Sequence, residues 1–133
     1  MVTTPFYASA SPDESVAHFA RVAESSDLPV LAYDIPSRTG VKLSTSVLER
    51  LAREEIVVGL KDSSGDLTGF RAAVDISGRH PLRLFTGSEL LVDVALFAGA
   101  DGAVPGLANV DPHGFVALYD ACLLYTSPSP RDS

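Results

Sequence analysis

Residues 56–66 have the sequence IVVGLKDSSGD, an apolar run that ends at Lys61 and is followed by a polar turn. Four similar apolar runs occupy residues 2–6, 29–33, 82–85 and 102–105. These runs are rich in aliphatic and β-branched residues and do not alternate cleanly with polar ones. That pattern is typical of strands buried on both faces of a parallel sheet. The sequence therefore predicts up to five parallel strands.

Helical patterns follow the apolar runs and carry recognisable start signals. Ser11-Pro12-Asp13-Glu14 supplies a capping hydroxyl, a proline in the first turn and a glutamate three residues after the serine. Further predicted helix starts are Ser46 with Glu49, Asp66, Thr86 with Glu89, and Asp111 with Pro112.

This alternation of strand and helix predicts an α/β fold, either a doubly wound open sheet or part of a (β/α)8 barrel. No Gly-x-Gly-x-x-Gly turn follows the first strands, which disfavours a dinucleotide-binding fold. Since a complete barrel needs about 250 residues, a chain of 133 residues would supply about half of one.

Composition excludes several classes of protein. The net charge of −7 disfavours a nucleic-acid-binding role, because neutralising phosphates requires a basic surface. No apolar run reaches the roughly 18–20 residues of a membrane span, and we expect a cytoplasmic protein without a membrane partner. The single cysteine, Cys122, excludes a disulfide framework, and the three histidines lack metal-ligand spacing. We therefore expect no metal site.

The end of the chain breaks the pattern. Residues 122–133 have the sequence CLLYTSPSPRDS, whose prolines oppose continuation of the preceding helix. The segment also resembles the translation of an adapter used in sequencing libraries. We therefore divide the chain into a partial barrel domain over residues 1–121 and a non-native or disordered tail over residues 122–133.

Two residues at predicted strand ends suggest chemistry. Lys61 ends one strand at the edge where α/β active sites form. Burial favours a neutral amine, which is the nucleophile that forms a Schiff base with a ketone. Tyr33 occupies the equivalent position one strand earlier, where its phenol could relay a proton. On position alone, a lysine that extends into solvent and a tyrosine that is an ordinary core residue are the more common cases.

The loops after these strands add three weaker candidates. Arg38 lies in a turn after Tyr33, and its guanidinium suits a substrate carboxylate. Gly87 and Val104 lie in glycine-containing turns where backbone could approach a ligand. Each could instead be a solvated charge or a simple strand–helix turn.

Two segments resemble the signatures of the dihydrodipicolinate synthase/N-acetylneuraminate lyase family. They are YDIPSRTG at residues 33–40 and GLKDSSGD at residues 59–66, and further matching segments follow the family's order: TPFY at 4–7, GADGAV at 99–104 and ANV at 108–110. The resemblance covers residues 2–121. It implies strands four to eight of a (β/α)8 barrel, and a homodimer or homotetramer for the full-length protein.

The resemblance also implies roles for six residues. Lys61 would form the Schiff base with pyruvate or another 2-oxo acid, Tyr33 would shuttle protons, and Tyr7 would reach into the site of a neighbouring subunit. Arg38 would hold the carboxylate of the aldehyde substrate. Gly87 would line the pocket, and the carbonyl of Val104 would contact the keto acid.

The implied activity is that of a lyase like 4-hydroxy-tetrahydrodipicolinate synthase, which acts on pyruvate and aspartate semialdehyde. The resemblance also implies that no metal or organic cofactor is needed. Asp34 departs from the asparagine common in the synthases, so N-acetylneuraminate lyase or 2-keto-3-deoxy sugar acid aldolase activity remains an alternative; Arg38 favours a synthase. Alternatives outside enzymes are a flavodoxin-like binding module and a 2-oxo-acid sensor without turnover. We expect residues 1–133 alone to be poorly folded and inactive.

Overall fold

The computed structural model describes the backbone of residues 1–126 and the side chains of residues 1–124, and a five-stranded sheet lies at its centre. All neighbouring strands are parallel and follow the chain order β1-β2-β3-β4-β5. The strands are β1 Val2–Thr3, β2 Leu31–Asp34, β3 Gly59–Asp62, β4 Arg83–Thr86 and β5 Gly102–Ala103. Sequential order is that of consecutive barrel strands, whereas a flavodoxin-like sheet has the order 2-1-3-4-5. The flavodoxin-like alternative is therefore wrong.

Helices connect the strands. They are α1 Pro12–Glu24, α2 Pro36–Thr39, α3 Thr45–Arg53, α4 Leu67–Arg79, α5 Val92–Ala98 and α6 Pro112–Thr126, with 3-10 turns at Glu89–Leu91 and Gly106–Asn109. Every pair of successive strands thus has at least one intervening helix, which is the arrangement a parallel connection requires.

The predicted helix starts are partly confirmed. Ser11 caps α1, since its Oγ accepts the N–H of Glu14 at 3.2 Å. For α3 the prediction is wrong by two residues, because Ser44 rather than Ser46 caps the helix through the N–H of Val47. Thr86 is the last residue of β4, and its Oγ1 accepts the N–H of Ser88 at 3.2 Å instead of capping α5. At Thr86, therefore, strand pairing overrides the local capping pattern.

The core lies between the sheet and the helices. Ala32, Leu60 and Leu84 occupy equivalent positions in β2, β3 and β4 and are all buried. They belong to one cluster with helical residues that are almost fully buried, namely Phe19, Leu51, Phe70, Ala73 and Ile76. Because side chains alternate along a strand, the residues between them point to the opposite face of the sheet. That opposite face is where the candidate site lies.

The last helix extends past the predicted domain boundary. Helix α6 continues to Thr126, and Cys122 is buried in a small cluster with Val92 and Leu96 of α5. The domain boundary between residues 121 and 122 stays a prediction. Residues 127–133 of the predicted tail lie outside the described residues. Among residues 1–126, no helix is long and apolar enough to cross a membrane.

Candidate active site at the carboxyl ends of the strands

Lys61 and Tyr33 are direct neighbours across the sheet. They are paired in the register of β2 and β3, and Phe85 of β4 is paired with Lys61 on its other side. All three side chains are half-buried on the face opposite the helical core. The Nζ of Lys61 lies 4.6 Å from the centroid of the Tyr33 ring. The structure therefore brings the candidate nucleophile and the candidate proton carrier together.

Gly87 provides the space that the Lys61 side chain occupies. A Cβ at this position would lie 2.1 Å from the Oγ of Ser63 and 2.7 Å from the Cε of Lys61. Both distances are far below van der Waals contact, so any larger residue would displace the lysine or the serine. The absence of a side chain at Gly87 therefore leaves the space in which the Ser63 and Lys61 side chains lie.

Backbone hydrogen bonds join the strand ends around this pair. The N–H of Ser63 donates to the carbonyl of Asp34 at 2.9 Å, and the N–H of Gly87 donates to the carbonyl of Asp62 at 2.8 Å. The N–H of Val104 donates to the carbonyl of Thr86 at 2.8 Å. These bonds continue the sheet beyond its strands and hold Gly87 and Val104 at the same edge as Lys61. A ligand at this edge would face backbone that is fixed in position.

Arg38 lies on α2, the single helical turn that directly follows β2. Its side chain is exposed, and the part of the chain that the structure describes offers its guanidinium no ion-pair partner. Gly40 ends the turn with φ of +73°, a conformation that L residues rarely adopt. Arg38 is thus presented at the carboxyl edge of the sheet with its charge available.

Tyr7 lies apart from the pair formed by Lys61 and Tyr33. It follows β1 in an irregular segment, and its side chain is fully exposed at 101%. It therefore contacts neither Tyr33 nor Lys61 within this chain.

Sequence reasoning missed the residues that support the site from behind. Asp34 is only 2% exposed and forms an ion pair with Lys42, while Asp62 is 5% exposed and accepts the N–H and hydroxyl of Ser64 at 2.7 and 2.6 Å. A signal was available, since aspartates that end apolar strands need local donors once buried. Their partners depend on turn geometry and could not be read from the sequence.

The described residues contain no group of three or more histidine, cysteine, aspartate or glutamate side chains placed to hold a metal ion.

Two curated proteins show what this chain is similar to. A model of the dihydrodipicolinate synthetase family matches residues 1–123. An uncharacterized DapA-like lyase of Halobacterium salinarum is 42% identical over 122 residues, which are 91% of this chain and 39% of that protein. The 4-hydroxy-tetrahydrodipicolinate synthase of Methanothrix thermoacetophila is 34% identical over 123 residues, which are 92% of this chain and 42% of that protein.

Solved structures agree with these matches. Dihydrodipicolinate synthase of Acinetobacter baumannii, complexed with pyruvate, superposes with a TM-score of 0.83 at 29% identity, over 92% of this chain and 42% of its own. The enzyme of Aquifex aeolicus gives a TM-score of 0.82, also at 29% identity, with the same coverage of both chains. This chain spans 39% to 42% of the length of these four relatives, which confirms the predicted partial (β/α)8 barrel. The chain belongs to the dihydrodipicolinate synthetase family.

Proposed function

We propose that the protein containing this chain is a lyase that joins pyruvate to an aldehyde, or cleaves the corresponding product, through a Schiff base on Lys61. The observation that carries the proposal is the pairing of Lys61 with Tyr33, with Nζ 4.6 Å from the ring centroid, in the space left by Gly87. A lysine amine can form the iminium ion, and a neighbouring phenol can carry the protons that its formation and breakdown move. No metal or organic cofactor takes part in the steps below.

The reaction begins when the neutral amine of Lys61 attacks the ketone carbon of pyruvate. The resulting carbinolamine loses water and becomes an iminium ion, which withdraws electrons from the adjacent carbon. Loss of a proton from the pyruvate methyl group then gives an enamine, whose carbon attacks the aldehyde. Hydrolysis releases the product and regenerates the amine; the same steps in reverse cleave the carbon–carbon bond.

Tyr33 is the proton carrier of this scheme. Its ring centroid lies 4.6 Å from the Nζ of Lys61, and we assign its hydroxyl to proton transfer with intermediates formed at that nitrogen. The half-burial of both side chains reduces access of water, which strengthens polar interactions in the site.

The remaining predicted residues bind substrate. The carbonyl of Val104 and the backbone at Gly87 contact the keto acid at the carboxyl edge of the sheet. Arg38 holds the carboxylate of the aldehyde, for which its exposed guanidinium, without an ion-pair partner among the described residues, is suited. Tyr7 acts in the site of a second copy of the protein within a homodimer or homotetramer, which accounts for its complete exposure here.

Aspartate semialdehyde is our proposed aldehyde, which makes the activity that of a 4-hydroxy-tetrahydrodipicolinate synthase. Arg38 is the residue that favours it, because an aldehyde carrying a carboxylate needs a cation at this position. Cleavage of a sialic acid or a 2-keto-3-deoxy sugar acid is the alternative. It would be indicated by Schiff-base formation with pyruvate and no consumption of aspartate semialdehyde.

The test is to trap the Schiff base in the full-length protein. The protein is incubated with pyruvate, reduced with borohydride, digested and mapped by mass. This chain has two lysines, Lys42 and Lys61, so the unmodified Lys42 peptide is an internal control. We expect the adduct on Lys61, its loss in Lys61→Ala, and its retention in Tyr33→Phe together with a fall in turnover of about a hundredfold or more.

An absent adduct in a folded protein would overturn the proposal. An adduct on Lys61 without consumption of any aldehyde would instead support the 2-oxo-acid sensor.

A further inference from the structure

The segment between β2 and α3 begins and ends at a buried carboxylate. Asp34, only 2% exposed, accepts a hydrogen bond from the Nζ of Lys42 at one oxygen and from the N–H of Leu43 at the other, at 3.1 Å. Residues 35–41 lie between these partners. The ion pair therefore fastens the far end of the segment to the strand from which it starts.

Within this segment, local bonds fix the turn that carries Arg38. The N–H of Gly40 donates to the carbonyl of Pro36 at 2.8 Å, and the Oγ1 of Thr39 accepts the N–H of Val41 at 3.2 Å. The turn is consequently a compact unit whose placement depends on its two attachments. One attachment is the covalent chain at Ile35, and the other is the contact of Lys42 and Leu43 with Asp34.

Asp34 is also connected to the strands that carry Tyr33 and Lys61. It directly follows Tyr33, and its carbonyl accepts the N–H of Ser63 at 2.9 Å, two residues after Lys61. Asp34 thus links three features: the proton carrier, the strand that holds the nucleophile and the turn that holds the arginine.

We propose that the Asp34–Lys42 ion pair positions Arg38 for recognition of the aldehyde carboxylate. The proposal rests on the proposed function and adds Lys42 to it as a positioning residue that does not touch substrate. Lys42 is 41% exposed at its side chain while Asp34 is buried, so the pair consists of an accessible cation and an inaccessible anion. Removing the cation leaves a buried carboxylate with one backbone donor, which favours opening of the segment toward water.

The expected effect of Lys42→Met is selective for one substrate. Opening of the segment displaces Arg38 and weakens capture of the aldehyde, whereas the iminium at Lys61 still forms. We expect the KM for aspartate semialdehyde to rise about tenfold to a hundredfold. The kcat, the KM for pyruvate and borohydride trapping at Lys61 should stay at wild-type values.

Two matched variants separate positioning from loss of charge or stability. Lys42→Arg keeps a cation that can reach Asp34 and should restore a low KM for aspartate semialdehyde. Arg79→Met breaks ion pairs with Glu49 and Asp75 on the helical surface, and should leave both KM values unchanged.

The decisive measurement is a double-mutant cycle with Arg38, made in the full-length protein. If Lys42 acts through Arg38, Lys42→Met should raise the aldehyde KM no further once Arg38→Ala is present. A rise by the same factor in both backgrounds, or no rise in either, would overturn the proposal.

Should Lys42→Met fail to fold, Asp34→Asn/Lys42→Met carries the same test. This variant loses the ion pair that fastens the segment and keeps only the hydrogen bond from Leu43, with no buried charge left to drive opening. The aldehyde KM should therefore again rise, but by less than in Lys42→Met. Failure of the proposed function is recognised separately: wild-type protein would then show no pyruvate adduct on Lys61, and the role of Lys42 would fall with it.

Discussion

The centre of the sheet and its two edges differ in the length of their strand pairing and in how well helical side chains cover them. Strands β2, β3 and β4 are paired over four residues each and are backed by helical side chains that are almost fully buried. Strands β1 and β5 contain two residues each and have one neighbour apiece among the described residues. Near these edges, large apolar side chains are exposed: Phe6, Leu90, Val110 and Val116.

The candidate site residues are divided between the centre of the sheet and its edges. Lys61, Tyr33 and Gly87 lie in the complete centre, where their positions follow from strand register. Tyr7 and Val104 lie at the edges and are exposed at 101% and 43%. The chain therefore holds the two candidate reacting groups side by side at its centre, whereas the candidate residues at its edges are exposed.

The sharpest test of the contrast is the chain of residues 1–133 alone. Unpaired strand edges and uncovered apolar surface favour association and loose packing, so we expect no cooperative thermal unfolding and complete loss of pyruvate turnover. Thermal unfolding is measured by near-ultraviolet circular dichroism on heating, with the full-length protein as the control. A cooperative transition together with turnover would show that the chain folds and acts without further structure beside β1 and β5.

The packing of the centre can be tested with a pair of leucines in the full-length protein. Leu51 on α3 is 0% exposed, and Leu51→Ala should lower the free energy of unfolding by about 2–5 kcal/mol because it leaves a cavity. Leu28, in the connection before β2, is 75% exposed, and Leu28→Ala should change it by no more than about 0.5 kcal/mol. Denaturant unfolding gives both values, and equal losses would contradict the assignment of the core.

The site within the centre can be tested with a pair of glycines. Gly87→Ala places a methyl group against Ser63 and the Cε of Lys61, so kcat/KM for pyruvate should fall about a hundredfold. Gly78 on α4 has nothing within 4 Å of its virtual Cβ, and Gly78→Ala should leave the kinetics unchanged while stabilising the helix by up to about 1 kcal/mol. Equal kinetics for the two variants would mean that Gly87 does not shape the lysine pocket.

The sequence alone predicts much of this centre. Apolar runs locate all five strands, and the polar residues that end them place Lys61 and Tyr33 at one edge. The three central runs begin before their paired strands, as at residues 56–60, where pairing as a strand starts at Gly59. Apolar side chains indicate which residues are buried. Burial begins before the backbones of two strands come close enough for regular hydrogen bonding.

Other parts of the site are beyond sequence reasoning. The closeness of Lys61 to Tyr33 depends on the register of two strands that are separated by a whole helical connection. The pairing of Asp34 with Lys42 depends on a turn that reverses the chain over eight residues. Gly87 is indistinguishable from an ordinary turn glycine until the atoms around its missing Cβ are known. Local patterns give the type of each element, and these three features depend on tertiary geometry.

The smallest expected effect concerns an ion pair on the outer surface of the centre. Glu49 of α3 pairs with Arg79 of α4, and the hydrogen bond from Arg79 lowers the pKa of Glu49 below its usual value. A lowered folded-state pKa contributes stability above the unfolded pKa of about 4.3, and the contribution disappears as the pH falls through the folded value. Glu49→Gln should therefore have a slightly lower Tm than wild type at pH 7, and the difference should vanish in acid.

Glu24→Gln on α1 is the control, because the described ion pairs do not include Glu24. A Tm difference for Glu49→Gln that persists unchanged at the lowest pH would show that the effect is not that of the carboxylate charge.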